Sequence, residues 1–276
     1  MDNLALKKTA NELRKGIVTA TFFAKSGHPG GSLSAADVLT YLYFEEMNVT
    51  VDKPQNPERD RFVLSKGHAA PALYSVLVLK GYFPKEDLKT LRHIDSYLQG
   101  HPDMKHTPGV DMSTGSLGQG ISAAVGMALS AKVQNKDFSV YTMLGDGELQ
   151  EGEVWEASMF AGSHDLDNLT VIVDNNNLQI DGTVEEICSP YPIDEKFKAF
   201  NFHVINIDAH DFNQIRDAFK EAKATIGKPT AIVMKSVKGK GVSFMENQVG
   251  WHGKAPNEEQ YKQAMEELQR NGEALI

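Results

Sequence analysis

A single cysteine, Cys188, among 276 residues excludes an intrachain disulfide, a cysteine-rich metal cluster and a CxxC redox motif. Any metal must be held by oxygen or histidine. A basic surplus is also lacking. There are 28 Lys and Arg against 37 Asp and Glu, a net charge of −9, and no block of five or six basic residues, which argues against a nucleic-acid-binding surface. Long apolar runs are missing too: the most apolar stretch, 72–79, falls far short of the ~18 residues a membrane span requires. The amino-terminal MDNLALKKTANELRKG has no signal-like apolar centre. The expectation is a cytoplasmic protein with neither membrane nor nucleic acid as partner. No repeat, low-complexity tract or composition break interrupts residues 1–276, and that length is near the point where one hydrophobic core stops growing, so 1–276 is read as one domain.

What is present is enough to build a core, at 41% hydrophobic residues. Leu4, Leu6, Leu13, Ile17 and Ala20 or Thr21 follow a helical stripe. Ser34 before AADVLTYLYFEEM reads as a helix N-cap. Residues 69–80 are apolar nearly all round, the mark of a fully buried helix, and 118–134 is a small-residue helix suited to close packing. The first half thus looks helical. From residue 138 short apolar runs (FSVYTML, LTVIVD, FHVINI, TAIVMK) alternate with amphipathic stretches at 153–163 and 212–226. Continuous rather than alternating apolar strands imply a sheet covered on both faces. The predicted fold is therefore α/β, a doubly wound, mostly parallel sheet with helices on both faces and its ligand at the strands' carboxyl ends. The segment 257–270 reads as a solvated terminal helix.

Two of these strands end in turns of unusual composition. FSVYTML runs into Gly145, Asp146 and Gly147, and LTVIVD runs into Asn175, Asn176 and Asn177, with one helix between them, so both turns lie on one edge. The glycines suit a backbone that approaches a phosphate, yet the Asp146 carboxylate would repel one. A divalent cation between them removes the conflict: Asp146, Asn176 and a carbonyl after the Asn run supply oxygens, and phosphate oxygens and water complete an octahedron. Mg²⁺, with Ca²⁺ or Mn²⁺ in its place, suits such a set.

The segment GDGELQEGEVWEASMFAGSHDLDNLTVIVDNNNLQIDG resembles the thiamin-diphosphate signature, Gly-Asp-Gly followed about 30 residues later by Asn-Asn. Its QEG continuation is similar to transketolase. SGHPGGSLSAADVL, RFVLSKGHAAPALY, STGSLGQGISAAVGMA and KGKGVSFMENQVGWHGK resemble further transketolase segments in family order. Four of the nine histidines, His28, His68, His101 and His252, have a glycine neighbour, more than chance placement gives. The other five are read as structural or surface histidines.

The resemblance implies a thiamin-diphosphate-binding fold and transfer of a two-carbon ketol unit from a ketose phosphate to an aldose phosphate, the pentose-phosphate type of reaction. By likeness, His28 and His101 face the reacting carbons, with Glu151 as a buried acid linked to the second active site of the assembly. His68, His252, Lys238, Gly145 and Gly147 hold the diphosphate, Gly115, Ser116 and Leu117 line the cofactor, and Asp146, Asn176 and the Leu178 carbonyl hold the metal. Trp155 and Cys188 are assigned to packing. No segment matches the family's pyrimidine-side domain, which supplies the glutamate that activates the cofactor. The resemblance therefore implies a partner chain carrying that domain, in a heterotetramer of two plus two. Two other classes are weighed. A nucleotide- or NAD-binding oxidoreductase is disfavoured because no GxGxxG opens the first βα turn. A noncatalytic regulatory subunit is disfavoured because the histidine and metal positions are all filled.

Overall fold

The computed structural model describes residues 1–54 and 56–275. Helices α1 (Asn3–Ala24), α2 (Pro29–Ser34) and α3 (Ala36–Tyr41) precede strand β1 (Arg61–Leu64) and helix α4 (Ala70–Lys80). After a largely irregular stretch come α5 (Gln119–Val133), β2 (Val140–Gly145), α6 (Gly152–Ser163) and β3 (Leu169–Asn175). The short α7 (Val184–Cys188) and α8 (Ile193–Ala199) lead into β4 (His203–Asp208), α9 (Phe212–Ala224), β5 (Thr230–Lys235) and α10 (Glu258–Glu273).

The five strands form one sheet in the order β1-β2-β3-β5-β4, every neighbouring pair parallel. Successive strand residues point to opposite faces. Tyr141 and Met143 of β2 pack into a core shared with Leu13, Leu39, Leu77, Phe219 and Leu268, from α1, α3, α4, α9 and α10. Val140 and Leu144 pack into a second core with Ile121, Val154 and Phe197, from α5, α6 and α8. Both faces are buried, which is why β2, β3 and β5 are apolar without alternation, as a doubly wound sheet requires. No helix among the described residues is long and apolar enough to cross a membrane.

Four local readings are corrected. Strand β1 lies where only helices were expected: four residues flanked by Arg59, Asp60 and Lys66 are too short to show a period, and pairing with β2 decides their state. Ser34 does not cap a helix; it is the last residue of α2, and its hydroxyl donates to Asp174 at 2.6 Å and to the Gly31 carbonyl at 3.2 Å. Leu4 is 40% exposed and leaves the buried stripe of α1. Helix α10 is not merely solvated, since Ala264 and Leu268 are fully buried and Tyr261 stacks on Phe22 at 4.1 Å. Its start is set by a capping box between Asn257 and Gln260.

Candidate functional site

In this strand order the loops after β1, β2, β3 and β5 all open at the sheet's carboxyl edge. They enclose a cavity of about 340 Å³ together with the α1–α2 connection, the loop before α5 and the loop before α10. The expected residues His28, His68, Gly115, Leu117, Gly145, Asp146, Gly147, Glu151, Asn176, Leu178, Lys238 and His252 line it. His101 and Ser116 do not. Both are exposed, although the His101 ring abuts Gly115 at the mouth: a Cβ on Gly115 would lie 3.0 Å from the ring. Gly67 and Gly115 let two of these loops touch, because a Cβ on Gly67 would meet the Gly115 nitrogen at 2.8 Å.

Three histidines meet at one wall. The His28 ring lies 5.2 Å from His68 and 5.4 Å from His252, and His68 stacks on His252 at 5.2 Å. Lys238 Nζ donates to His252 Nδ1 at 2.9 Å and to the Leu178 carbonyl at 2.8 Å. His252 is therefore neutral, with its proton on Nε2. Burial, and then Lys238, lower its pKa to about 3. Burial, then Arg92, take His28 to about 4, while burial and Lys66 hold His68 well below the ordinary value. At neutral pH the ligand-free site thus presents uncharged imidazoles, able to donate or accept but not to supply positive charge.

Opposite them, Asp146 accepts from the backbone amides of Gly147 at 2.9 Å and of Asn177, which ties the β2 turn to the Asn run. Burial, then the charge of Asp174, push its pKa up to about 6. Asn176 accepts from the Leu178 amide at 3.1 Å through Oδ1. Asn177 and Gln179 keep buried, unpartnered polar atoms, Oδ1 and Nε2, and so does His28, Nδ1. Among the described residues no group of three or more His, Cys, Asp or Glu could hold a metal. A cation here has a single carboxylate and must be completed by a ligand's own oxygens, as Mg²⁺ commonly is by phosphates. The Leu178 carbonyl accepts from Lys238 Nζ and keeps a second lone pair.

Several residues at the site were not singled out in the sequence. Lys66, two positions before His68, is buried and paired with Asp174, which also accepts from Ser34 and Ser236. Burial works to raise the Asp174 pKa, but Lys66 and the two hydroxyls outweigh it and hold the carboxyl below the usual range. Glu148 accepts from Ser65 Oγ at 2.5 Å, the Gly118 amide at 2.9 Å and the Gly145 amide at 3.1 Å, joining three site loops. Arg92 lowers both His28 and His101. The signals for Lys66 and Asp174 are their places in SKGH and at the end of LTVIVD. One expectation is corrected: Cys188, expected to pack, is exposed. Glu151 is exposed at the rim of this single chain. Trp155 packs on Phe197 and donates to the Leu149 carbonyl at 2.9 Å.

The Lys66–Asp174 pair is buried so completely that removing one partner exposes the cost of the other. Asp174→Ala strands an ammonium and two hydroxyls and is expected to destabilise the chain by about 3–5 kcal/mol, with Lys66→Met in the same chain recovering most of it. Thermal melts of the single and double variants check this. Equal melting of wild type and Asp174→Ala would refute it.

The family description "Transketolase, thiamine diphosphate binding domain" matches residues 6–274. The chain is 47% identical over 267 residues to the 6-deoxy-6-sulfo-D-fructose transketolase subunit SqwG of Clostridium sp. (strain MSTE9), covering 97% of each. It is 42% identical to an apulose-4-phosphate transketolase subunit of Phocaeicola vulgatus, covering 100% of this chain and 97% of that one. Among solved structures, the transketolase of Campylobacter jejuni superposes with a TM-score of 0.92 at 37% identity, covering 100% of this chain and 46% of that chain. The chain thus spans nearly the whole of two relatives named as subunits and under half of a full-length transketolase.

Proposed function

The chain belongs to the transketolase family by its thiamin-diphosphate-binding domain, and from that premise we propose that it is the diphosphate-side subunit of a two-chain, Mg²⁺-dependent transketolase. It transfers a two-carbon ketol unit between sugar phosphates or similarly anionic sugars, in a heterotetramer with two copies of a pyrimidine-side partner. The observation that carries this reading is the convergence of His28, His68, His252, Lys238, Asp146 and Asn176 on one cavity. The cavity also fits the cofactor in its unpartnered polar atoms and in the glycine loops facing it.

When bound, thiamin diphosphate supplies a nucleophilic carbon and an electron sink for carbon–carbon bond cleavage and formation. The chain's own residues do the rest. Asp146 and the Asn176 side-chain oxygen would hold the metal, with Leu178 contributing its carbonyl. Lys66 and Lys238 line the cavity with Asp146, Glu148 and Glu151, so the ligand-free lining holds one more acid than base. A divalent cation reverses that balance and attracts the diphosphate. Lys238, His68 and His252 contact the anion. The His28 ring and the His101 ring, the latter at the mouth, orient a sugar's hydroxyl and carbonyl groups and exchange protons with them.

A cofactor contact alters affinity and a proton-transfer group alters turnover. In the reconstituted complex, His68→Ala and His252→Ala are expected to raise the cofactor concentration for half activity by about tenfold or more with turnover at saturation retained. His28→Ala and His101→Ala are expected to lower kcat by about 100-fold or more with cofactor demand unchanged. Cofactor titrations of ketol transfer test both pairs. Unaltered cofactor demand in the first pair, with circular dichroism showing folded protein, would overturn the division.

The same assay tests the reading as a whole against a panel of ketose donors. Two similar relatives are named for 6-deoxy-6-sulfo-D-fructose and apulose-4-phosphate rather than for common pentose phosphates, so the panel includes anionic ketoses of both kinds. Absence of ketol transfer from every donor by the complex would refute the proposal.

A further inference from the structure

Lys238 reaches the cavity wall from residues 237–240, a loop near the start of the irregular stretch that follows β5. Gly239 turns the chain there with φ of 82°, where a Cβ would meet the Met245 carbonyl oxygen at 2.3 Å. Both ends of this loop are gripped by a buried cluster outside the cavity lining. Arg14 of α1 donates through Nε to the Lys240 carbonyl at 3.0 Å and through both terminal nitrogens to Asp37 of α3, at 3.1 and 2.6 Å. His210, from the loop between β4 and α9, contacts the same carboxylate through Nδ1 at 2.7 Å. Its Nε2 lies 3.0 Å from the Val237 amide.

The Val237 N–H can only donate, so His210 Nε2 is the acceptor and the ring proton sits on Nδ1, aimed at Asp37. The imidazole is a neutral link in a fixed tautomer, oriented by a carboxylate in the way metal-bound histidines often are. Every side-chain hydrogen bond of the three residues goes to another member of the cluster or to Val237 and Lys240. A buried ion pair is a poor source of stability but a good device for fixing one arrangement among several. The arrangement fixed here is the loop's, and through it the placement of Lys238 against Leu178 and His252.

We propose that Arg14, Asp37 and His210 are positioning residues that act through the 237–240 loop to hold Lys238 at the cavity wall. Its consequence for anion binding rests on the functional reading above; the strut itself does not.

The test uses the full chain without cofactor and compares His210→Asn, whose amide can reach Asp37 but not Val237, with His210→Gln, whose amide reaches the Val237 amide. Lys238 is 2% exposed and Lys66, an internal reference held by Asp174 and the Gly31 carbonyl, 1%. Both are followed by peptide mass spectrometry during acylation with a succinimidyl ester. His210→Asn is expected to speed Lys238 acylation relative to Lys66 by about tenfold, roughly what losing one buried hydrogen bond allows in local opening. His210→Gln is expected to stay within about twofold of wild type. An equal rise at both lysines, which general loosening would produce, or no rise at Lys238, overturns the strut.

Binding of inorganic diphosphate with Mg²⁺, read by calorimetry, then separates the two readings. A loss of about tenfold in His210→Asn that vanishes in a Lys238→Met background supports the coupling. The same loss in both backgrounds overturns it. If wild type takes up no diphosphate at all, the functional reading fails, while the acylation result still decides the strut.

Discussion

Asp146→Ala is expected to abolish the Mg²⁺-dependent stabilisation by thiamin diphosphate, weakening cofactor binding at least about 100-fold, while leaving the ligand-free chain no less stable than wild type. The two halves of this result come from one property of the residue. Asp146 is the sole carboxylate of the proposed metal set, so its loss leaves only neutral oxygens, Asn176 and a carbonyl already engaged by Lys238. Neutral oxygens alone do not strip water from so hard a cation.

The same carboxylate is a burden to the ligand-free fold. Burial and the neighbouring Asp174 raise its pKa to about 6 from 3.8. A raised carboxyl pKa means that the folded state, more than the unfolded one, prefers the proton, so above pH 6 the ionised group costs the fold on the order of 3 kcal/mol. Alanine removes that cost and gives up the hydrogen bonds from Gly147 and Asn177, so the ligand-free melting temperature holds or rises while the cofactor-induced shift disappears. Melting curves with and without thiamin diphosphate, in Mg²⁺ and in excess chelator, measure both. A cofactor shift that survives in Asp146→Ala or in chelator removes Asp146 from any metal site.

The parts of this chain that were legible in the sequence are those where one physical requirement dominates composition. β2, β3 and β5 must bury both faces, so they are apolar throughout, and their order along the chain with α6 and α9 between them defines a parallel sheet. On the proposed reading the turns after β2 and β3 combine close backbone approach with oxygen ligands, which makes Gly145, Asp146, Gly147 and Asn176 stand out. What stayed hidden depends on partners far apart in sequence. Strand β1 is specified by its pairing with β2 rather than by its own four residues. Ser34 resembles a cap because a serine before an apolar helix usually is one, yet its hydroxyl is drawn to Asp174, 140 residues away. Lys66 and Asp174 look like ordinary charged residues, and only the fold shows each to be the other's reason for being buried. His210 shares its type with the site histidines but lacks a glycine neighbour, and its work is done on Val237, 27 residues on. Glu151 was expected to be buried because the resemblance places a buried acid there; within this chain it faces outward.

That exposed glutamate leads to the other large expected effect. On the proposed reading Glu151 becomes buried only when a second polypeptide covers the rim of the cavity. The surroundings of the mouth fit such a cover: Leu117 and Ile180, both lining the cavity, are 36% and 65% exposed. Apolar side chains grouped at the edge of a polar cavity are what an assembly interface would bury, and obligate interfaces are larger and more apolar than transient ones. On the proposed reading the chain's own residues hold a diphosphate and a metal at one end, and the glutamate that the resemblance implies for activating the cofactor ring comes from the partner chain. A missing general acid or base alone costs a factor of about 100 to 10,000. The purified chain is therefore expected to bind Mg²⁺ and diphosphate weakly and to show no measurable ketol transfer. Adding the partner chain is expected to raise turnover at least about 1,000-fold, in step with the appearance of a larger complex in size-exclusion chromatography with light scattering. Because the two active sites of a two-plus-two assembly would be joined through Glu151, Glu151→Gln is expected to lower turnover of the complex while leaving the melting temperature of the isolated chain unchanged, as an exposed residue there should. Turnover by the rigorously purified single chain within tenfold of the complex would overturn the two-chain reading, and full activity of the Glu151→Gln complex would remove that residue from the link between sites.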